Sequence, residues 1–288
     1  VPVNLPSNCL VGCALHEGSD DMVSNAGSWV GHDLGHRPVR WEERDVILFA
    51  LAIGARPTQL DLVFEQCLRV LPTFALTLAQ WAPDQLSSAG AFDPRRALHG
   101  AQRVEVLQAL PSSGETTMHA KVANVWDKGR AAVFEVEVEC PYLRATWSIF
   151  ADGLGGFGGQ RGPARAPEPT EAPMATVPVH VDARAAALYR LTGDRHLIHI
   201  DPSAARAIGH PRPILHGLAT LSTTLLAIAE HEGADPVALR HVEARFSGPV
   251  YPGETAELLL WEDGRFRLDT DRGPALDGGR VAFAGADG

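Results

Sequence analysis

Lysine is nearly absent from this chain: only Lys121 and Lys128 occur among its 25 basic residues, so almost all positive charge is arginine. Positive charge is also the minority sign, and the formal net charge is −10. That balance disfavours nonspecific binding to nucleic acid or to an anionic membrane surface. It leaves room for a phosphate-bearing small ligand, for which one local basic cluster suffices. Long apolar runs are missing too, and none approaches the roughly 20 residues that span a bilayer. Cysteine is scarce: Cys9, Cys13, Cys67 and Cys140 in 288 residues do not make a disulfide scaffold, and Cys9 and Cys13 lack a second pair at zinc spacing. All four read as reduced thiols. The N-terminus shows no charged region followed by an apolar stretch. A cytoplasmic protein is the resulting expectation. What the chain does have is 45% hydrophobic and 21% charged residues, the balance of a globular protein with a sizeable core.

Apolar periodicity orders the rest. Val46, Ile47, Phe49, Ala50 and Ile53 recur at helical spacing across 44–55, with Glu42, Glu43 and Asp45 suited to the first turn. A second apolar helix is expected over 71–79, where Pro72 fits a first-turn position. Strands are expected at 103–110, 116–125, 131–139 and 143–151. In the third of these, Phe134, Val136 and Val138 alternate with Glu135, Glu137 and Glu139, which implies one wet face. Asp127, Lys128 and Gly129 read as a hairpin turn.

Residues 162–173, rich in proline and alanine without apolar period, read as a linker. Beyond it the order recurs: a short helix at 183–191, a loop, a small helix at 202–208 with Asp201 as N-cap, and a long apolar helix over 214–229. Strands follow at 240–246, 255–261, 266–270 and 279–284. Each half thus reads as one long apolar helix followed by about four antiparallel strands, an α+β arrangement of a sheet curled around a helix. The expected organisation is a tail of uncertain status at 1–30, a first domain at 31–160, a linker at 161–176 and a second domain at 177–288.

The loop in the second half reads Tyr189-Arg190-Leu191-Thr192-Gly193-Asp194-Arg195-His196-Leu197-Ile198-His199-Ile200-Asp201-Pro202, and further on comes Pro213-Ile214-Leu215-His216-Gly217. Together these resemble the MaoC-like, or type 2 enoyl-CoA hydratase, family of the hotdog fold. Residues 244–255, with Ala244-Arg245-Phe246, resemble its strand and turn after the central helix. In the first half, Glu43-Arg44-Asp45-Val46-Ile47-Leu48, Val70-Leu71-Pro72-Thr73-Phe74, Leu98-His99-Gly100 and Asp127-Lys128-Gly129 resemble the two-domain version. The resemblance covers roughly residues 38–285 and implies a double hotdog.

The implied chemistry suits these residue types. Hydrating an enoyl thioester needs a water activated at the β-carbon, a proton for the α-carbon and a stabilised thioester oxygen. The resemblance implies Asp194 and His199 as the catalytic pair holding the water, and Gly217 as the backbone N–H donor to the oxygen. It implies acyl-CoA contacts at His99, Gly100, Lys128 and Phe246. The first half lacks a Gly-Asp-x-x-x-x-His motif, so it resembles the domain that houses the acyl chain. The implied reaction is reversible hydration of a trans-2-enoyl-CoA to the (3R)-3-hydroxyacyl-CoA. No cofactor is expected, since the CoA thioester is the substrate, and a homodimer is compatible with the resemblance.

His196-Leu197 stands where the family has Asn-Pro. The asparagine is expected to hydrogen-bond within the site, and histidine is larger and can titrate. A supporting role for His196 and altered acid–base behaviour or substrate range are the expectation. Two other readings stand beside hydration: a dehydratase for a specialised acyl or polyketide thioester, and an acyl-CoA-binding hotdog without catalysis. The histidines near Asp194 fit no known zinc spacing, so no metal is expected. Gly153-Leu154-Gly155-Gly156-Phe157-Gly158 matches a dinucleotide fingerprint in letters alone, because a proline-rich stretch follows where a helix is required.

Overall fold

The computed structural model describes residues 26–285. The tail expected at 1–30 therefore lies largely outside the described residues, as do Cys9 and Cys13. Its described end forms a 3-10 turn at Ala26–Trp29 whose Ala26 is buried, so that end belongs to the body of the molecule. Cys67 and Cys140 are free thiols. No described helix is long and apolar enough to cross a membrane.

Ten strands make one antiparallel sheet: β1 (Asp33–Trp41), β2 (Ala97–Val106), β3 (Gly114–Asp127), β4 (Ala131–Cys140), β5 (Leu143–Asp152), β6 (Ala175–His180), β7 (Leu239–Phe246), β8 (Thr255–Leu260), β9 (Arg265–Thr270) and β10 (Gly273–Phe283). Their order is β1-β3-β4-β5-β2-β7-β10-β9-β8-β6. Read inward from either edge, each half runs first, third, fourth, fifth, second strand of its own set. The internal repeat that is invisible letter by letter is thus plain in the topology. The two second strands meet at the centre, where β2 pairs with β7, Ala101 opposite Arg245 and Val104 opposite Val242.

The α+β expectation holds, with five strands per half in place of about four. The unforeseen strands are β1 and β6, the two outer edges. Both carry a proline, Pro38 and Pro178, and both are largely exposed. An edge strand needs neither a full set of N–H donors nor a buried alternating face, so apolar periodicity does not reveal it. β6 also begins at Ala175, within the last residues of the expected linker.

The helices divide unequally. The first half holds α1 (Glu43–Ala52), α2 (Leu60–Val63), α3 (Ala75–Ala79) and α4 (Trp81–Ser88). The long helix expected there is discontinuous: a 3-10 turn at Pro72–Phe74 leads into α3, and α4 starts afresh after Gln80. Pro83 explains the break, since it has no N–H for the carbonyl of Ala79 and its ring crowds that turn. The second half holds α5 (Ala185–Tyr189), α6 (Pro202–Ala207) and α7 (Gly217–Glu232). α7 is the continuous central helix, buried along most of its length and closed by Gly233 at φ 66°. Three of its buried hydroxyls are satisfied within the core: Thr220 and Thr224 donate to carbonyls four residues back, and Thr223 donates to the Ile53 carbonyl of the other half at 3.0 Å, while the buried Ser222 hydroxyl has no partner among the protein's own groups. Phe49 of α1, 5.9 Å from Tyr189 of α5, joins the two halves further.

Candidate active site

The loop after α5 turns sharply at Gly193, whose φ of 147° an L side chain rarely adopts and whose added Cβ would sit 3.4 Å from the Thr77 carbonyl of α3. The next residue, Asp194, accepts the backbone N–H of His196 on Oδ1 at 3.0 Å. A 3-10 turn at Leu197–His199 then carries His199 inward, where it is 7% exposed. His199 Nδ1 lies 2.9 Å from the Ile214 carbonyl. A carbonyl only accepts, so Nδ1 carries the proton and Nε2 offers a lone pair. That Nε2 is 4.0 Å from Asp194 Oδ2. The gap is too long for a direct hydrogen bond and just under the roughly 4.4 Å at which one water bonds two acceptors. Burial pushes the His199 pKa down, against the Ile214 hydrogen bond and the Asp194 charge, so the ring is neutral at pH 7.

His216 completes the cluster. Its Nε2 donates to the Asp194 backbone carbonyl at 3.1 Å, and its ring stacks on His199 with centroids 3.6 Å apart. Its Nδ1 is buried with no partner among the protein's own groups. Burial first, then the neighbouring His199, hold the His216 pKa far below the usual histidine range. Asp194, His199 and His216 are the only group of such side chains among the described residues that could hold a metal ion, their ligand atoms lying within 4.8 Å of one another. The spacing of these residues along the chain showed none of this.

Gly217 follows His216 as the first residue of α7. At that position the N–H has no carbonyl partner within its own helix, and the dipole favours negative charge. Phe246 of β7 lies over it, 3.1 Å from where a Cβ would be. The same ring meets His99 of β2 with centroids 4.6 Å apart. Burial presses the His99 pKa down to about 4, partly opposed by hydrogen bonding with Ala101 and Gln102 and, least, by the Asp194 charge. Asp194, His199, His216, Gly217, Phe246 and His99 are therefore one neighbourhood, drawn from both halves. Gly100 sits beside His99 at a β-bulge, close to the Ser148 carbonyl.

Two residues sit differently. The His196 ring is exposed, and its Nδ1 accepts the Ile198 N–H at 3.4 Å, capping the 3-10 turn. An asparagine Oδ1 does the same at such a position, so the support His196 gives is to the loop's backbone. Lys128, at the β3–β4 turn, donates through Nζ to the Arg161 carbonyl. It stands at the end of the sheet where β2 begins, since Ala131 pairs with Asp152 and Ala151 with Ala97.

Sequence reasoning missed Asp84. It lines a cleft of about 460 Å³ with Arg37, Gln80, Trp81, Gln85 and Gly193. Partial burial and then repulsion from Asp194 raise its pKa, though part of the residue stays exposed. The signal was weak, because a lone acid in a helix normally marks a solvated face. The glycine-rich stretch at 153–158 is a loop bound by Asp127, whose carboxylate accepts the N–H groups of Gly129, Gly156 and Gly158 at 2.8 Å each.

Comparison with known proteins decides the family. The MFE-2 hydratase 2 N-terminal domain family matches residues 40–150, and the MaoC like domain family matches residues 165–272. An enoyl-CoA hydratase of Mycobacterium tuberculosis, ChsH3, is 38% identical over 254 residues, covering 82% of this chain and 89% of that protein. The chain belongs to the MaoC-like hydratase 2 family. It is accordingly a hydro-lyase. Among solved structures, a MaoC-like dehydratase from Phytophthora capsici superposes with a TM-score of 0.78 at 27% identity, covering 89% of this chain and 96% of that one. A second, from Mycobacterium tuberculosis and described as having a double hotdog fold, is 14% identical with a TM-score of 0.56, covering 88% and 95%. The fold of this family member is the double hotdog.

Proposed function

We propose that this chain catalyses reversible hydration of a trans-2-enoyl-CoA to the (3R)-3-hydroxyacyl-CoA, at a site in its second half beside the junction with the first. The observation that carries the reading is the Asp194–His199 pair, whose Oδ2 and Nε2 lone pairs face each other across 4.0 Å beside the start of α7. A water held by both has its oxygen free to attack C3 as its proton passes to the pair. The pair then returns a proton to C2, and the protein ends unchanged. The negative charge that develops on the thioester oxygen is met by the Gly217 N–H and the α7 dipole. His199, kept neutral by burial, is in the form that accepts the water's proton.

His99, Gly100 and Phe246 border the reacting end of the acyl-CoA, and Lys128 meets its phosphates at the end of the sheet. The broken α3–α4 helix leaves the first half to house the acyl chain. The reaction needs no cofactor, because the thioester itself acidifies C2. His196 in place of asparagine is compatible with turnover, since its ring caps the same turn. That favours an active hydratase over an acyl-CoA-binding protein without catalysis.

The test is hydration of crotonyl-CoA and longer enoyl-CoA thioesters by the purified chain, with chiral analysis of the product. Turnover to the (3R) alcohol, abolished in Asp194→Ala, is expected. Tight binding of every chain length with no turnover of any would overturn the reading.

A further inference from the structure

We propose that His216 is the positioning residue of the catalytic pair: the hydrogen bond from its side chain to the Asp194 carbonyl holds Asp194 at its working distance from His199 and ties both to the Gly217 N–H. The kinetic consequence rests on the function proposed above; the geometry does not.

His216 occupies the N-cap position of α7, yet its side chain makes no cap hydrogen bond. Serine, threonine, aspartate and asparagine are usual there, because their oxygens accept the free N–H groups of the first turn. Here the imidazole is turned to the loop instead, and its Nε2 donates to the Asp194 carbonyl at 3.1 Å. A helix cap is thus forgone for a link across 22 residues. Packing does not account for the choice. His216 is 2% exposed, and its Nδ1 has no partner among the protein's own groups. A buried polar atom left unpaired is destabilising, and phenylalanine would fill the same place without one. What phenylalanine lacks is the Nε2 donor.

The link is itself well anchored. The His216 ring stacks on His199 with centroids 3.6 Å and planes 23° apart, and the buried Tyr189 ring lies 4.8 Å away. Rings stacked in this way cannot aim two in-plane lone pairs at one ion, so the cluster is a brace and not a metal site. The adjoining backbone completes the brace. The Ile214 carbonyl accepts the His199 Nδ1–H, the Ile214 N–H donates to the Ile198 carbonyl at 3.2 Å, and the Leu215 N–H donates to the Val250 carbonyl at 2.7 Å. One segment, 214–217, therefore fixes the His199 tautomer, anchors the Asp194 backbone and presents the Gly217 N–H. Asp194 needs that anchor. It follows Gly193, whose φ of 147° only glycine adopts readily, and its own side chain keeps 31% exposure. Without the Nε2 link the loop carrying Asp194 relaxes away from His199.

Three variants of the full chain separate the link from packing. His216→Phe keeps a ring and loses the donor. His216→Gln loses the ring, but its amide N–H can reach the same carbonyl. His216→Ala loses both. In crotonyl-CoA hydration, His216→Phe and His216→Ala should each lose about 10²-fold in kcat, the cost of a misplacement of about 1 Å, with KM within about threefold of the parent. His216→Gln should recover most of that loss. An active His216→Phe beside an impaired His216→Gln overturns the proposal in favour of packing, and so does equal loss in the two. Thermal unfolding is read on each variant. Should His216→Phe fail to fold, His216→Gln against His216→Ala carries the test, and equal kcat in those two overturns the link. Crystal structures of the parent and His216→Phe, or His216→Ala in its place, read the geometry without turnover. The Asp194 Oδ2 to His199 Nε2 separation, 4.0 Å in the parent, should widen by about 0.5 Å or more, beyond the tolerance of a productive site. An unchanged separation overturns the proposal. A parent chain that hydrates no enoyl-CoA removes the functional reading, and the crystallographic comparison still decides the link.

Discussion

Replacing Gly217 with alanine separates the catalytic argument from the structural one. Gly217 has no positive φ, so the backbone itself tolerates alanine. Alanine in place of a helical glycine is favourable by up to about 1 kcal/mol, less in the first turn. Against that, the new methyl would lie 3.1, 3.2 and 3.4 Å from three ring carbons of Phe246. Ordinary carbon contacts begin near 3.5 Å, so the ring must give by about 0.4 Å. The two effects nearly cancel. Stability should stay within about 1 kcal/mol of the parent, or roughly 3 °C in Tm for a chain of this size. Activity should not survive so well, because the methyl stands where the thioester oxygen must approach the Gly217 N–H. Losing one such donor costs about 10²–10³-fold in rate. The assay is crotonyl-CoA hydration, read as kcat/KM beside thermal unfolding of the same preparation. A kcat/KM within about threefold of the parent would show that this N–H does not stabilise the oxygen. A collapse of Tm together with activity would show that the glycine serves packing alone.

Asp194→Asn keeps an oxygen to accept the His196 N–H, so Tm should barely move while kcat falls by about 10³-fold or more, as general acid–base catalysis is lost; an active variant removes Asp194 from the chemistry. His196→Asn should retain the cap and the fold, whereas His196→Ala should lose about 1 kcal/mol with the cap, measured by urea unfolding. Identical pH–rate profiles for the parent and His196→Asn would remove the expectation of altered acid–base behaviour. His99 makes stability pH-dependent in a definite sense. Its folded pKa of about 4 lies below the ordinary 6.5, so its contribution is present above pH 6.5 and is lost as pH falls towards 4. The difference of about 2.5 units corresponds to at most about 3 kcal/mol. Urea midpoints at pH 7 and pH 4.5 should therefore differ less in His99→Gln than in the parent, and equal differences would refute the assignment.

Much of this protein is written locally. α1, α7 and eight of the ten strands follow from apolar period, because each has a buried face that its own residues pattern, while α6 follows from its end signals, with only Ala205 buried. Asp201 could be read as an N-cap for the same reason, since its bond to the Ser203 N–H spans two residues. β1 and β6 could not, because an edge strand with a proline has no complete buried face to betray it. The break before α4 hinges on Pro83, whose effect shows only once the preceding turn is placed.

The sequence alone placed Gly193 at the turn of the loop, spaced Asp194 and His199 five residues apart and set Gly217 near the start of a helix, all local features with local physical reasons. Tertiary structure decided the rest. His216 reads as an unremarkable helix-start residue until the chain folds its ring onto His199 and its Nε2 onto the Asp194 carbonyl, 22 residues away. His99 and Phe246, far apart in sequence, meet only because β2 pairs with β7 at the centre of the sheet. Side-chain hydrogen bonds across long separations depend on topology, and local periodicity carries no record of which lone pairs end up facing one another.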